Sequence, residues 1–163
     1  MIRPATPADV PAIHAMIAEL ALFEKAPQEA VATVSDLSSA LFAPNPSVFA
    51  HVAVSSDGDV VGYAIWFLNF STWRGVHGIY LEDLYVRPTA RGDGHGKALL
   101  RELARLCVER GYARLEWWVL DWNPARTFYE SLGASALTEW VPYRVTGPAL
   151  TALAASSPGD QSI

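Results

Sequence analysis

The sequence predicts a mixed α/β fold built around one twisted sheet. Short runs of β-branched and aromatic residues alternate along the chain with segments of helical periodicity. A glycine-rich turn at residues 92–96 joins one apolar run to a long helical segment. No internal repeat, linker or second composition regime divides the chain, so we expect one domain over residues 1–155 and a disordered tail over residues 156–163.

Signals for starts and ends of elements are clear in the first half of the chain. Thr6 is a hydroxyl N-cap followed by Pro7, and Asp9 adds a carboxylate in the first turn. Ser35 is expected to cap a second, short helix that the following prolines end. The predicted elements are strands over residues 1–5, 48–54 and 60–70, the last two a hairpin, and helices over residues 7–23 and 35–42.

Glycine and proline residues mark the ends of the predicted elements in the second half of the chain. Pro88 closes an apolar strand, whereas Gly111 and Gly133 each provide a helix stop. The predicted elements are strands over residues 79–86 and 114–119, one or two strands within 136–145, and helices over residues 94–110 and 124–132.

Composition and net charge indicate a folded globular protein and the kinds of partner that suit it. Hydrophobic residues make up 51% of the chain and charged residues 18%, as in folded globular proteins. The net charge is −5, and Lys and Arg form no cluster, which argues against a nucleic-acid partner. This acidity suits a cationic substrate, although solvated surface carboxylates account for it equally well.

The single cysteine, Cys107, excludes an intrachain disulfide and indicates a reducing compartment; its apolar helical context predicts core packing. The N-terminus lacks a basic segment followed by an apolar run, and no segment approaches 18 uninterrupted apolar residues. We therefore expect a cytoplasmic protein without a membrane partner.

Three alternate glycines, Gly92, Gly94 and Gly96, precede the long helix. Such a turn directs backbone N–H groups into one concavity at a helix N-terminus, where a phosphate or pyrophosphate is stabilised. Ala98 follows Gly96-Lys97 where a P-loop needs Ser or Thr, and the G-x-G-x-G spacing differs from the dinucleotide fingerprint. A tight connection without a ligand is the alternative.

The run Arg-Gly-Asp-Gly-His-Gly at 91–96 resembles the acetyl-CoA loop of the GCN5-related N-acetyltransferase (GNAT) superfamily. The resemblance extends, in order, through the segments 2–6, 19–24, 80–83, 122–123 and 128–129, which are similar to the diamine (spermidine/spermine) and thialysine acetyltransferase branch. It implies a GNAT fold with a mixed twisted sheet of six to seven strands flanked by about four helices. It also implies acetyl-CoA as cosubstrate, no metal, and a homodimer.

Acetyl transfer from a thioester to an amine needs a base for the ammonium group and an acid for the departing thiolate. By resemblance, Glu82 helps to deprotonate the amine through water and Tyr129 protonates the thiolate. For Glu82 the alternative is a structural ion pair with an arginine, and for Tyr129 it is packing of the aromatic ring. Strand alternation is expected to send Glu82 and Asp83 to opposite faces of the sheet.

The resemblance assigns the cofactor contacts to three stretches. They are Leu84, Tyr85 and Val86 on the strand, Arg91, Gly92, Asp93, Gly94, His95, Gly96 and Lys97 in the loop, and Asn123 and Arg126 at the next helix start.

It assigns the amine contacts to carboxylates and aromatic residues, since carboxylates pair with ammonium groups and tryptophan can add a cation–π contact. Solvated glutamates and core tryptophans are the alternative. The positions are Phe23, Glu24, Ser71, Thr72, Trp73, Glu116, Trp117, Trp118 and Glu139.

One departure bears on the substrate. Ser71 and Thr72 stand where polyamine acetyltransferases carry an acidic residue and a proline, which favours a short thialysine-like amino acid over a long polyamine. The helix start at Asn123 is one residue shorter than the family pattern, which weakens the contacts assigned there. Acetylation of a protein N-terminus or lysine is an alternative, and a non-catalytic CoA-binding sensor is another.

Overall fold

The computed structural model describes residues 1–155, and the chain divides into two compact units, Met1–Trp118 and Val119–Ile163. The predicted tail at residues 156–163 lies outside the described residues. The prediction of one domain over residues 1–155 stays a prediction.

The first unit contains a sheet of five strands in the order β1-β2-β3-β4-β5. The first four strands pair antiparallel, and β5 runs parallel to β4. The predicted mixed α/β fold is confirmed, with five strands rather than six or seven. The strands are β1 (Ile2–Pro4), β2 (Val48–Val54), β3 (Val60–Ser71), β4 (Val76–Val86) and β5 (Leu115–Glu116).

Three helices belong to this unit: α1 (Val10–Phe23), α2 (Val34–Phe42) and α3 (His95–Arg110). A 3₁₀ turn, Pro7–Asp9, leads into α1. Thr33, not the predicted Ser35, caps α2 because Thr33 and Asp36 form a reciprocal capping box. The Thr33 hydroxyl accepts from the Asp36 N–H at 3.1 Å, and the Asp36 carboxylate accepts from the Thr33 N–H at 2.8 Å.

The helices cover both faces of the sheet. Ile13 and Met16 of α1 pack with Tyr63 and Ile65 of β3 in one buried cluster. His51 of β2 points to the opposite face, where its Nε2 lies 3.9 Å from Glu102 of α3. Cys107 of α3 is buried, as predicted. The core therefore has two layers, with α1 and α2 on one side of the sheet and α3 on the other.

Two strands differ from their predicted lengths by three or more residues. β4 begins at Val76, because the hairpin with β3 continues to a tip at residues 72–75. β5 spans two residues, where a strand over 114–119 was predicted, and it pairs only with Ile79 and Tyr80.

The described part of the second unit, residues 119–155, contains two helices joined by turns and irregular segments. It contains α4 (Ala125–Ser131), which ends before Gly133 as predicted, and α5 (Gly147–Ala155), which was not predicted. The predicted strands within 136–145 are wrong. A turn in which the Trp140 N–H bonds the Leu137 carbonyl at 3.4 Å interrupts this segment, and Pro142 has no N–H for a ladder.

None of the helices within residues 1–155 combines the length and the apolar character that a membrane crossing requires.

Candidate active site

The glycine turn places a row of open N–H groups at the start of α3. Gly92 and Gly94 adopt φ of 97° and 79°, in the left-handed region. Gly94 is the N-cap of α3 without a side-chain cap, and the first helical bond runs from the Ala98 N–H to the Gly94 carbonyl at 2.9 Å. The N–H groups of residues 95–97 therefore have no acceptor inside the helix, which is the arrangement that stabilises an anion.

Arg91 connects this turn to its surroundings. Its Nε donates to the Val86 carbonyl at 3.0 Å. Its guanidinium lies over the rings of Phe23 and Tyr85, 5.8 and 5.6 Å from their centroids. The other charged residues of the loop, Asp93 and Lys97, are exposed. Arg91 thus links the loop to β4 and to the end of α1.

A β-bulge in β4 lies at Glu82. Ile65 of β3 pairs with Asp83 and Trp66 pairs with Leu81, so Glu82 has no partner of its own. Phe67 and Ile65 share a face of β3, and their partners are Tyr80 and Asp83. Tyr80 and Asp83 therefore share one face although they are three residues apart, and Glu82 follows Tyr80 onto that face.

This geometry corrects the prediction that Glu82 and Asp83 point to opposite faces. Both carboxylates lie on the face of the sheet that α1 covers, because the extra residue interrupts the alternation. Asp83 is the more buried of the two, and Glu82 is exposed.

The bulge also reverses the direction of the backbone groups. The Ile79 N–H donates away from β3, to the Arg114 carbonyl next to β5, whereas the Arg87 N–H donates to Val61 of β3. In a regular strand two residues eight apart direct their N–H groups to the same side, so the direction changes between them. After the bulge, the N–H groups of Leu84 and Val86 point to the β5 side.

That side of β4 is open within the first unit. β5 pairs only with Ile79 and Tyr80, and in the described residues no strand of this unit continues the pairing along residues 82–86. The N–H groups of Leu84 and Val86 therefore face a gap in the sheet. An extended ligand can bind there by adding to the strand edge.

Three carboxylates lie near the bulge, on the side of the sheet that α1 covers. Burial, with smaller contributions from the charges of Glu82 and Glu24, raises the pKa of Asp83 to about 6. Burial also raises the pKa of Glu24, at the C-terminal end of α1. This acidic cluster, defined as Glu24, Glu82 and Asp83, favours a cation.

Three further residues of the first unit were given no role from the sequence: Glu19, Tyr63 and Arg87. The Glu19 carboxylate accepts from Nε of Arg87 at 3.2 Å. The Tyr63 hydroxyl is buried without a hydrogen-bond partner among the described residues. Tyr63 reads as a core residue in the sequence and Arg87 as part of a turn, so no local signal marks these two. Glu19 lies in the segment 19–24 that resembles the family, but by itself it reads as a helix-surface residue.

The remaining predicted amine contacts of the first unit lie at the β3–β4 tip and in or just after β5. Ser71 begins the hairpin turn, where its hydroxyl accepts from the Arg74 N–H at 3.3 Å; Thr72 is exposed, and Trp73 is 93% exposed. The Trp118 ring stacks edge-on against Tyr80 at 6.1 Å, and Trp117 is half-buried.

The Glu116 carboxylate is already bound. It accepts from the Asn69 side-chain amide at 2.9 Å and from Nε of Arg114 at 2.8 Å. Both of its oxygens therefore have partners within the first unit, which favours the structural alternative over contact with an amine.

The predicted residues of the second unit surround α4. Asn123 accepts at its side-chain oxygen from the Ala125 N–H at 2.9 Å, and Arg126 donates to the Asp121 carbonyl at 2.8 Å. The Tyr129 ring lies 5.4 Å from that of Phe128. Glu139 is exposed in the turn before Trp140. Asn123 thus fixes the start of α4.

Across residues 1–155, His, Cys, Asp and Glu side chains form no group of three that could hold a metal ion.

The chain is similar to one family of known proteins. Residues 14–134 match the profile described as the acetyltransferase (GNAT) family. The chain is 35% identical to L-ornithine N5-acetyltransferase NATA1 of Arabidopsis thaliana, over 93% of this chain and 86% of that protein. It is 37% identical to thialysine N-epsilon-acetyltransferase of Bos taurus, over 94% of this chain and 96% of that protein.

A solved structure also matches. An integron cassette protein from the mobile metagenome of V. cholerae superposes with a TM-score of 0.79 at 30% identity, over 96% of this chain and 98% of that one.

Proposed function

Since the chain belongs to the acetyltransferase (GNAT) family, we propose that this N-acetyltransferase transfers an acetyl group from acetyl-CoA to the primary amine of a short cationic metabolite. The acceptor is an amino acid with a side-chain amine or a diamine. The amine attacks the thioester directly while both substrates are bound. One observation carries the proposal: the acidic cluster lies beside the open edge of β4.

The open edge and the glycine turn support acetyl-CoA as the donor. Acetyl-CoA supplies a thioester, a pantetheine arm with amide groups and a pyrophosphate. The N–H groups of Leu84 and Val86 would hold the arm along β4. The N–H groups at the start of α3 would hold the pyrophosphate, and Lys97 in the first turn adds a positive charge.

The acidic cluster supports a cationic acceptor. Three carboxylates on one face attract an ammonium group, and burial of Asp83 strengthens that attraction because fewer water molecules screen it. Exposed Glu82 can reach solvent and pass the ammonium proton to water, as a general base must. Tyr129 is the acid that gives a proton to the departing thiolate.

The matched relatives support a side-chain amine. One is named for the N5 of L-ornithine and the other for the N-epsilon of thialysine. Ser71 and Thr72 add no charge at the β3–β4 tip, which favours a short acceptor with few positive groups over a polyamine.

The first test is release of CoA thiol from acetyl-CoA with spermidine, putrescine, thialysine, lysine, ornithine and a basic peptide as acceptors. We expect turnover on thialysine or ornithine. Tyr129→Phe should lower kcat about 100-fold with little change in either KM, because a general acid acts only in the transition state.

A matched control is Phe128→Leu, which alters the neighbouring side chain and keeps the hydroxyl. Full activity of Tyr129→Phe would remove Tyr129 from the mechanism. Turnover on the basic peptide alone would identify a protein acetyltransferase. Binding of CoA without turnover on any acceptor would favour the sensor.

A further inference from the structure

Tyr63 has a buried hydroxyl group that packing of the fold does not explain. The residue is 0% exposed on β3, and its hydroxyl has no hydrogen-bond partner among the described residues. A buried hydroxyl without a partner lowers the stability of the fold, and a phenylalanine of the same shape would avoid that loss. The oxygen therefore needs a purpose other than packing.

Other buried polar side chains of the sheet show the contrast. On the opposite face, His51 Nδ1 accepts from Trp66 Nε1 at 3.1 Å, so each of these two side chains has a hydrogen-bond partner. Asn69 leaves its oxygen unpaired, but its amide nitrogen donates to Glu116. The side chain of Tyr63 has one polar atom, and that atom has no hydrogen-bond partner within residues 1–155.

The Tyr63 hydroxyl lies in the field of the acidic cluster. Tyr63 pairs with Tyr85 across the sheet, with ring centroids 6.5 Å apart, and Asp83 lies two residues before Tyr85 on the same face. Burial raises the pKa of Tyr63, and the charges of Asp83 and Glu24 raise it further. The phenol therefore stays neutral and keeps a free oxygen lone pair beside the carboxylates.

We propose that Tyr63 is a positioning residue whose hydroxyl oxygen accepts a hydrogen bond from the ammonium group of the acceptor, directly or through one water molecule. The proposal rests on the proposed function. A carboxylate at this place would add a fourth negative charge to the cluster, and a lysine would repel the amine. A phenol provides an acceptor atom without either effect.

Tyr63→Phe tests this, because it removes one oxygen and keeps the ring. We expect KM for the amine to rise about tenfold, the loss typical of one hydrogen bond to a charged group. The KM for acetyl-CoA and kcat should stay within about twofold of the unaltered protein. The thermal unfolding temperature of the free protein should stay level or rise, because an unsatisfied group is gone.

Tyr112→Phe is the matched control, since it removes a hydroxyl in the turn after α3, next to His77. An amine KM within twofold of the unaltered protein in Tyr63→Phe would overturn this inference and leave the proposed function intact. A lower unfolding temperature with both KM values raised would also overturn it, as a purely structural role predicts. If the unaltered protein acetylates no amine of the panel, the proposed function fails and this inference fails with it.

Discussion

At the scale of single residues, the ionised carboxylate of Asp83 lowers the stability of the fold and favours the binding of a cation. Its carboxyl is partly withdrawn from water beside Glu82 and Glu24, which raises its pKa from 3.8 to about 6. At neutral pH it is nevertheless ionised, at a cost to the folded state. An ammonium group that binds there would remove that cost. The Asp83 carboxylate is already ionised in the free protein and therefore attracts a cation.

Replacement of Asp83 by asparagine should therefore stabilise the free protein and impair its activity. The fold favours protonated Asp83, so this residue's contribution to stability is fully present below about pH 4 and is lost as pH rises through about 6. At pH 7.5, Asp83→Asn should raise the free energy of unfolding by on the order of 2 kcal/mol, and this gain should shrink at pH 4.5.

Urea unfolding at both pH values measures the gain, and kcat/KM for the amine measures the loss. For the unaltered protein kcat/KM should fall below about pH 6, as Asp83 becomes protonated. A gain of equal size at pH 4.5 and pH 7.5 would show that desolvation of the charge is not its source.

The bulge is the part of this site's arrangement that the sequence did not predict. Glu82 was assigned by resemblance, and strict alternation was assumed for Glu82 and Asp83. A bulge arises from pairing with β3, and nothing in the local sequence reports it. Tyr63 likewise reads as an ordinary core residue in the sequence, because only the tertiary structure shows that its hydroxyl has no hydrogen-bond partner in the described part of the chain.

At the scale of elements, the turn before α3 depends on backbone conformation rather than on space. A Cβ added at Gly94 would meet no atom within 4 Å, but φ is 79° there. Gly94→Ala should therefore lower stability by roughly 1–2 kcal/mol through the left-handed conformation. It should also raise KM for acetyl-CoA about fivefold, because the N–H groups of α3 shift.

Gly58→Ala is the matched control for this prediction. Gly58 also has a positive φ, 92°, and open space around its Cβ, but it lies in the β2–β3 turn. It should lose similar stability without a change in KM for acetyl-CoA. Equal KM values for the two variants would mean that the turn at Gly94 does not hold the cosubstrate.

Elements with strong end signals were predicted well. α3 starts one residue after the predicted position and ends where Gly111 indicates, and β2 matches its predicted range. The segment 136–145 was wrong because aromatic and β-branched residues suggest a strand there, whereas the turn before Trp140 and Pro142 prevents pairing. Propensity alone does not provide a partner strand.

At the scale of the whole molecule, the homodimer and the cytoplasmic location remain predictions. The chain has a mass of 17.7 kDa, so light scattering on the purified protein should give about twice this value. A mass of one chain at concentrations used in the activity assay would exclude the dimer as the active form. Addition of acetyl-CoA should raise the unfolding temperature in either case.

The bulge in β4 has a consequence for how this strand tolerates change in length. The strand alternates in a different phase on either side of Glu82. Before the bulge the even-numbered residues of β4 lie on the face that α1 covers, and after it the odd-numbered residues do. A chain one residue shorter at this point would keep a single phase. The N–H groups of Leu84 and Val86 would still point away from β3, but Glu82 would be missing from the acidic cluster. The extra residue therefore adds a carboxylate at this point of β4 without changing the direction of the donors that follow it.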